Sequence, residues 1–373
     1  MNTNERPWFE AANIAEVPSP SLLIYPARVE ENLRRMIGVT GGVDRLRPHM
    51  KTHKMPELIR LQRARGVSKF KCATIAEAEM TAENGAAEVL LAYQPVGPNI
   101  GRFQELQRRF PGTRFTTIAD DAGAIRALAA AAVAAGGSIE VLLDLDCGQH
   151  RCGVAPGAAA RALYELVASS AGLVPGGLHV YDGHLHDPDP VVRAGQCEAA
   201  YAPVARFRQE LLTAGLPVPR TVAGGTPTFP MHARRPDVEC SPGTCLLWDA
   251  GYATKLQDLD FLVAATVLTR VISKPGGRRL CLDLGHKAVA SENPHPRVQF
   301  PQLPDAQAIA HSEEHLVVET DRVVDFRVGD CLYGIPWHIC PTVALHSTAA
   351  VVRDGRVDGR WNVARERLIK GEG

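Results

Sequence analysis

Aromatic residues are scarce at 6% of the chain, no apolar run reaches the length of a membrane span, and neither sign of charge is in excess. Each shortage excludes something. Without about 20 consecutive apolar residues there is no transmembrane helix to expect. Lys plus Arg equals Asp plus Glu at 41 each, so no global field draws the chain to nucleic acid or an anionic membrane, and small molecules are the expected partners. No C-x-x-C pair occurs, and nine scattered cysteines in 373 residues do not make a disulfide scaffold; a reducing cytoplasm with mostly buried thiols is expected. The charged stretch from Met1 to Glu16 lacks a signal-peptide core. Two further absences bear on architecture. There is no G-x-G-x-x-G in a strand-to-helix turn, which counts against a dinucleotide-binding open sheet, and there is no internal repeat.

What is present reads as an α/β chain with a β-rich end. Ser21 to Tyr25 has strand character, and Pro26 opens a helix. Short apolar runs then recur at Asp44 to Met50, Phe70 to Ala73, Glu88 to Ala92, Arg114 to Ile118, Ile139 to Leu145, Gly177 to Tyr181, Thr221 to Ala223 and Val238 to Cys240, with helical stretches between most of them. Such alternation predicts a (β/α)8 TIM-type barrel. After Tyr252 the runs Phe261 to Ile272, Arg279 to Leu284, Glu314 to Glu319, Cys331 to Ile335, Thr342 to Thr348 and Ala349 to Val357 predict a mostly β C-terminal domain. The expected division is a barrel over 18–250 and a β domain over 251–373, joined by residues 1–25.

In a parallel barrel, chemistry gathers where the strands end. Arg47-Pro48-His49-Met50-Lys51-Thr52-His53-Lys54 puts Lys51 at such an end, crowded by cations that would lower its pKa and make it a Schiff-base nucleophile; taken alone, the octapeptide reads first as a solvated basic turn. Arg151 offers a fixed cation, or a salt bridge to Asp146. Tyr181 supplies a flat ring. His184 and His186 supply imidazoles for proton transfer or metal binding, or merely bond Asp182 or Asp187. Gly224-Gly225-Thr226 can form an anion nest after the seventh strand, although Gly-Gly-Thr-Pro is also an ordinary turn. Far downstream, His338 and Cys340 project to one side of an extended backbone and suit zinc or a similar divalent ion with open coordination positions, or a buried β core. Lysine, arginine, tyrosine and phosphate nest on a barrel, with an open metal pair on a β domain, together describe a pyridoxal phosphate enzyme with an assisting metal.

These motifs, with Cys72-Ala73-Thr74 and Glu77-Ala78-Glu79, Asp283-Leu284-Gly285-His286-Lys287-Ala288, Ser312-Glu313-Glu314-His315 and Pro336-Trp337-His338-Ile339-Cys340-Pro341-Thr342, resemble the fold-type III pyridoxal phosphate enzymes, in the alanine-racemase-like branch that holds D-threonine aldolase, D-serine dehydratase and D-3-hydroxyaspartate dehydratase. The resemblance runs from Pro18 to about Val351. It implies that Lys51 carries the cofactor, that Gly225 and Thr226 hold its phosphate, that Tyr181 lines its pocket, and that His338 and Cys340 bind a metal such as Mn, Zn, Co or Mg. It also implies a head-to-tail homodimer. Cys245 stands where relatives commonly have an aromatic residue. The expected reaction is retro-aldol cleavage of a D-3-hydroxy amino acid, with His184 or His186 as base. The rivals are D-serine or D-3-hydroxyaspartate dehydration at the same site, a cofactor carrier without turnover, and a metal hydrolase using His49, His53, His184 and His186.

Overall fold

Short apolar strands joined by helices can bury both faces of a sheet when they lie parallel with the helices outside. In the computed structural model, which describes residues 6–365, the chain begins β1 (Ser21–Ile24), α1 (Pro26–Thr40), α2 (Pro56–Ala64), β2 (Lys69–Cys72), α3 (Ile75–Glu83), β3 (Glu88–Leu91) and α4 (Pro98–Arg109). It continues β4 (Arg114–Ala119), α5 (Ala122–Ala134), β5 (Ile139–Leu145), α6 (Ala158–Ser169), β6 (Leu173–Val180), α7 (Pro190–Thr213), β7 (Thr221–Ala223), α8 (Phe229–Ala233) and β8 (Val238–Cys240). β2 to β8 form a seven-stranded parallel sheet in chain order. Polar side chains set the helix starts locally: the N-cap Thr74 accepts the Glu77 N–H at 3.1 Å while the Glu77 carboxylate reaches one residue beyond the cap and accepts the Ala73 N–H at 2.7 Å, a variant of the capping box that explains the Thr-to-Glu spacing there.

The eighth position belongs to residues 44–50, expected as a strand and found irregular. Pro48 has no N–H to give a ladder. The segment bonds at intervals instead: Arg47 N–H donates to the Cys240 carbonyl at 2.8 Å, Cys240 N–H to the Arg45 carbonyl at 2.7 Å, and Lys71 N–H to the Pro48 carbonyl at 2.9 Å. Isolated parallel bridges join Leu46 to Cys240 and His49 to Lys71. The barrel is thereby closed between β8 and β2.

The amino-terminal end of the barrel carries a belt of ion pairs. Arg47 contacts Glu239 at 2.6 Å and Glu88 at 2.8 Å, Lys69 contacts Glu239 at 2.8 Å, and Glu140 takes Arg114 at 2.6 Å and Arg220 at 2.5 Å. Opposite charges near the starts of neighbouring strands neutralise one another there.

The remaining elements are α9 (Ala250–Lys255), β9 (Ala265–Ser273), β10 (Arg279–Leu282), β11 (Val298–Gln299), β12 (Gln307–His311), β13 (Leu316–Glu319), β14 (Cys331–Pro336), α10 (Ile339–Ala344), β15 (Thr348–Arg353) and β16 (Arg356–Asn362). With β1 they build a nine-stranded sheet, in which β1 runs parallel to β15 and antiparallel to β9, with Leu22 opposite both Ala349 and Val267. That pairing divides the chain into one unit of residues up to Arg35, Thr52–Met55 and Thr244–Arg365, and another of Met36–Lys51 and Pro56–Gly243. The units meet at Gly243–Thr244, and the β unit takes in β1, the start of α1 and Thr52–Met55; residues 1–5 and 366–373 of the expected division lie outside the described residues. A strand expected over Thr342 to Thr348 is the end of α10 and a turn, and His338 is the N-cap of that helix.

Candidate active site

A cavity of about 510 Å³ opens in the barrel unit, and Lys51, Lys71, Arg151, Tyr181, His49 and His179 line it. Lys51 sits in a single turn of 3-10 helix, Met50–Thr52, directly after the irregular segment. The His49 Nδ1 accepts its backbone N–H at 3.2 Å. Three cations surround the Tyr181 ring: the ammonium groups of Lys51 and Lys71 each lie 5.5 Å from its centroid, and the Arg151 guanidinium carbon lies 5.1 Å away. The ring is held by glycines, since a Cβ on Gly183 would collide with it and one on Gly225 would come within 3.1 Å. Arg151 has no carboxylate partner among the described residues, and Asp146, its expected partner, instead takes His150 at 2.8 Å.

On the cavity wall Asp144 and His179 face each other on adjacent strands in register. Asp144 accepts from the His179 Nδ1 at 2.7 Å. Burial lowers the imidazole pKa despite that carboxylate, so the ring is neutral with its proton on Nδ1, and the buried Nε2 has no partner. An unpartnered polar atom on a cavity wall awaits a ligand.

Gly224, Gly225 and Thr226 form the loop between β7 and α8. Gly224 has φ +78°, and a Cβ there would strike the His232 ring. Thr228 ties the loop down: its hydroxyl accepts the Gly225 N–H at 3.4 Å and donates to Asp182 at 2.8 Å. Thr226 accepts the Gly243 N–H at 3.3 Å, joining this loop to the one after β8. A backbone cradle too tight for side chains, an amine, a fixed ring and an orphaned imidazole nitrogen fit a phosphorylated pyridine aldehyde.

His184 and His186 are not among the residues that line the cavity. The His184 Nδ1 is buried without a partner, and its other ring nitrogen packs against Gly148. The sequence reading missed His179, Asp144 and Lys71. Their signal was visible as ionisable residues in otherwise apolar strands: Phe70-Lys71-Cys72, Leu143-Asp144-Leu145 and Leu178-His179-Val180.

His338 and Cys340 lie in the β unit, not on a common strand. His338 is extended and Cys340 is in the first turn of α10, yet their side chains interact. The His338 Nδ1 meets Glu292 at 2.5 Å, a carboxylate–imidazole pairing of the kind that orients metal-ligating histidines. Asp249, buried, accepts the Ile339 N–H at 3.0 Å and holds the helix start. Thr52 and Thr244 hydroxyls lie 3.2 and 3.4 Å from the Cys340 sulfur. This donor set fits a divalent ion held by two side chains with positions left open.

One group of three side chains with metal-ligand chemistry occurs among the described residues: Asp182, Cys197 and His232, all buried. Its geometry is that of an ion pair, with His232 Nε2 2.8 Å from Asp182 and 3.6 Å from the Cys197 sulfur. Burial pushes the imidazole down, but the bonds to Asp182 and Cys197 outweigh it and raise the pKa to about 9. A folded value above the unfolded one stabilises below about pH 6.5, and that contribution is lost as pH rises to about 9; the shift corresponds to about 3 kcal/mol. Melting of wild type and His232→Gln at pH 6, 7.5 and 9.5 should show a gap that narrows as pH rises. A constant gap would mean that the charge on His232 is immaterial.

Residues 24–249 match the alanine racemase N-terminal domain, and residues 264–352 match a putative serine dehydratase domain. The chain belongs to the alanine racemase-like family of pyridoxal phosphate enzymes. It is 31% identical to a D-threonine aldolase of Arthrobacter over 94% of this chain and 93% of that one, and 28% identical to a 3-hydroxy-D-aspartate aldolase of Paracoccus denitrificans over 94% and 92%. A D-threonine aldolase structure from Filomicrobium marinum superposes with a TM-score of 0.88 at 29% identity, covering 94% of this chain and 97% of that one. The expected (β/α)8 barrel followed by a β-rich domain is thus the observed fold of this family.

Proposed function

We propose that the protein is a pyridoxal phosphate- and divalent metal-dependent lyase that cleaves D-3-hydroxy amino acids between Cα and Cβ, turning D-threonine into glycine and acetaldehyde. The observation that carries this reading is the His338–Cys340 pair oriented by Glu292, for which a cofactor carrier or a simple racemase has no use. Similarity to the aldolases over nearly the whole chain supports it.

In this reading Lys51 is the amine that holds the cofactor, Tyr181 fixes its plane, Arg151 neutralises its phenolic oxygen, and Gly224, Gly225 and Thr226 bind its phosphate. Pyridoxal phosphate held there would supply a sink for the electron pair left on Cα, and a divalent ion held by His338 and Cys340 would supply a Lewis acid. Proton transfer within the cavity we assign to the His179 Nε2, kept neutral by burial and aligned by Asp144. His184 and His186, the expected bases, do not line the cavity. The reading includes a head-to-tail homodimer and a cytoplasmic location; nine cysteines with no disulfide between them favour a reducing compartment, and among the described residues no helix is long and apolar enough to cross a membrane.

D-threonine distinguishes the rivals. Protein loaded with cofactor and Mn²⁺ or Zn²⁺ should release glycine and acetaldehyde in equal amounts. A chelator should stop product formation while the visible absorbance of the cofactor persists, and added ion should restore it. Release of 2-oxobutanoate and ammonia would overturn cleavage in favour of dehydration.

A further inference from the structure

Two lysines stand two residues apart on β2, and the barrel treats them differently. Lys69 is paired with Glu239 at 2.8 Å in the ion-pair belt. Lys71, one step further toward the cavity on the same inward face, is only 2% exposed yet has no ion-pair partner among the described residues. The nearest carboxylates are already engaged, Asp144 by His179 at 2.7 Å and Asp182 by His232 at 2.8 Å and Thr228 at 2.8 Å. A lone buried ammonium is costly unless an anion meets it. The remaining neighbours are cations or a ring: Lys51, Arg47 and the Tyr181 face. Burial, first, and then Lys51 lower the Lys71 pKa to about 7, although Asp182 and Asp144 act in the opposite sense from a distance.

Resting on the reading that this cavity holds the cofactor and an amino acid, we propose that Lys71 is the cation that receives a carboxylate of the substrate. Tyr181 and Arg151 serve the cofactor in that reading, whereas Lys71 lies on the wall with no other assignment. The carboxylate is either the one on Cα, common to all amino acids, or a second one on the Cβ substituent, as in 3-hydroxyaspartate.

The test is a visible-absorbance titration of the cofactor-loaded protein with three ligands that bear no hydroxyl for cleavage. D-Alanine and ethylamine differ by the α-carboxylate; D-aspartate and D-alanine differ by the second one. In Lys71→Met, one of these two affinity ratios should fall by about 10- to 100-fold, the scale of a charge-assisted hydrogen bond in a desolvated site. Loss of the first ratio assigns Lys71 to the α-carboxylate, and loss of the second assigns it to the distal one. Lys71→Arg should recover part of the lost ratio. Lys71→Met should also melt no lower than wild type, because it removes an unpaired buried charge. Two unchanged ratios in Lys71→Met would overturn the assignment, as would a lowered melting temperature with unchanged ratios. Cofactor uptake, read first in every protein, separates this from failure of the functional reading: a wild type that stays colourless sinks both.

Discussion

Lys51→Ala should leave a folded protein that gains no covalent visible absorbance with pyridoxal phosphate and cleaves D-threonine roughly 10³-fold or more slowly than wild type. The size follows from what the amine does. It holds the aldehyde in place covalently, and its displacement by the substrate amine makes entry an exchange of one imine for another instead of a condensation from solution. Borohydride reduction of the loaded wild type should fix the label on the peptide containing residue 51. The structure sharpens this test, because Lys71 is a second amine at the same 5.5 Å distance from the Tyr181 ring. Label on the peptide containing residue 71, or full absorbance in Lys51→Ala, would overturn the assignment of Lys51. The solvated basic turn considered for the octapeptide is already set aside on structural grounds: Arg47 is 1% exposed and His53 is fully buried.

The parts of the fold legible in the sequence are those encoded locally. Alternating short strands and helices announce a barrel, and Thr74 with Glu77 announces a helix start, because each signal lies within a few residues of its effect. Long-range pairing is not written that way. Residues 1–25 are expected with the β domain, yet nothing around Ser21–Ile24 names the strands it pairs with, Ala265–Ser273 and Thr348–Arg353. Pro48 was a visible breaker whose consequence needed the neighbours, since only they show that the segment can close the barrel with isolated bonds. In the site, glycine and lysine motifs are legible because backbone approach and amine chemistry demand those residues. His179 and Lys71 are less so, because a polar residue inside a strand acquires meaning only from what the adjacent strands set opposite it. The His338 and Cys340 side chains meet through a helix start, with Pro341 inside its first turn, where an extended strand was expected to present them.

Arg47→Met should lower stability by about 3–5 kcal/mol, the cost of removing one partner from a buried ion pair. Arg47 closes the barrel seam: it lies on the irregular segment between β8 and β2 and binds Glu239 at 2.6 Å and Glu88 at 2.8 Å. Its removal leaves Glu88 unpaired except for Arg114 at 3.9 Å, and leaves Glu239 with Lys69 alone. Burial pushes the carboxyls of Glu239 and Glu88 up, but Arg47 outweighs it in both and holds them below the usual carboxylate range. Depressed carboxylates stabilise above their ordinary pKa and lose that contribution as pH falls through the folded values. The wild type should therefore lose stability on acidification below about pH 4.5, whereas Arg47→Met, already lacking the pair, should lose less over the same interval. Adding Glu239→Gln to Arg47→Met should restore part of the loss, because it removes the stranded charge instead of the interaction. For a chain of this size a loss of this magnitude lowers the melting temperature by roughly 10 °C. A shift under about 2 °C, or no recovery in the double variant, would mean that water enters the belt and screens it, and that the barrel is closed by its backbone bonds alone.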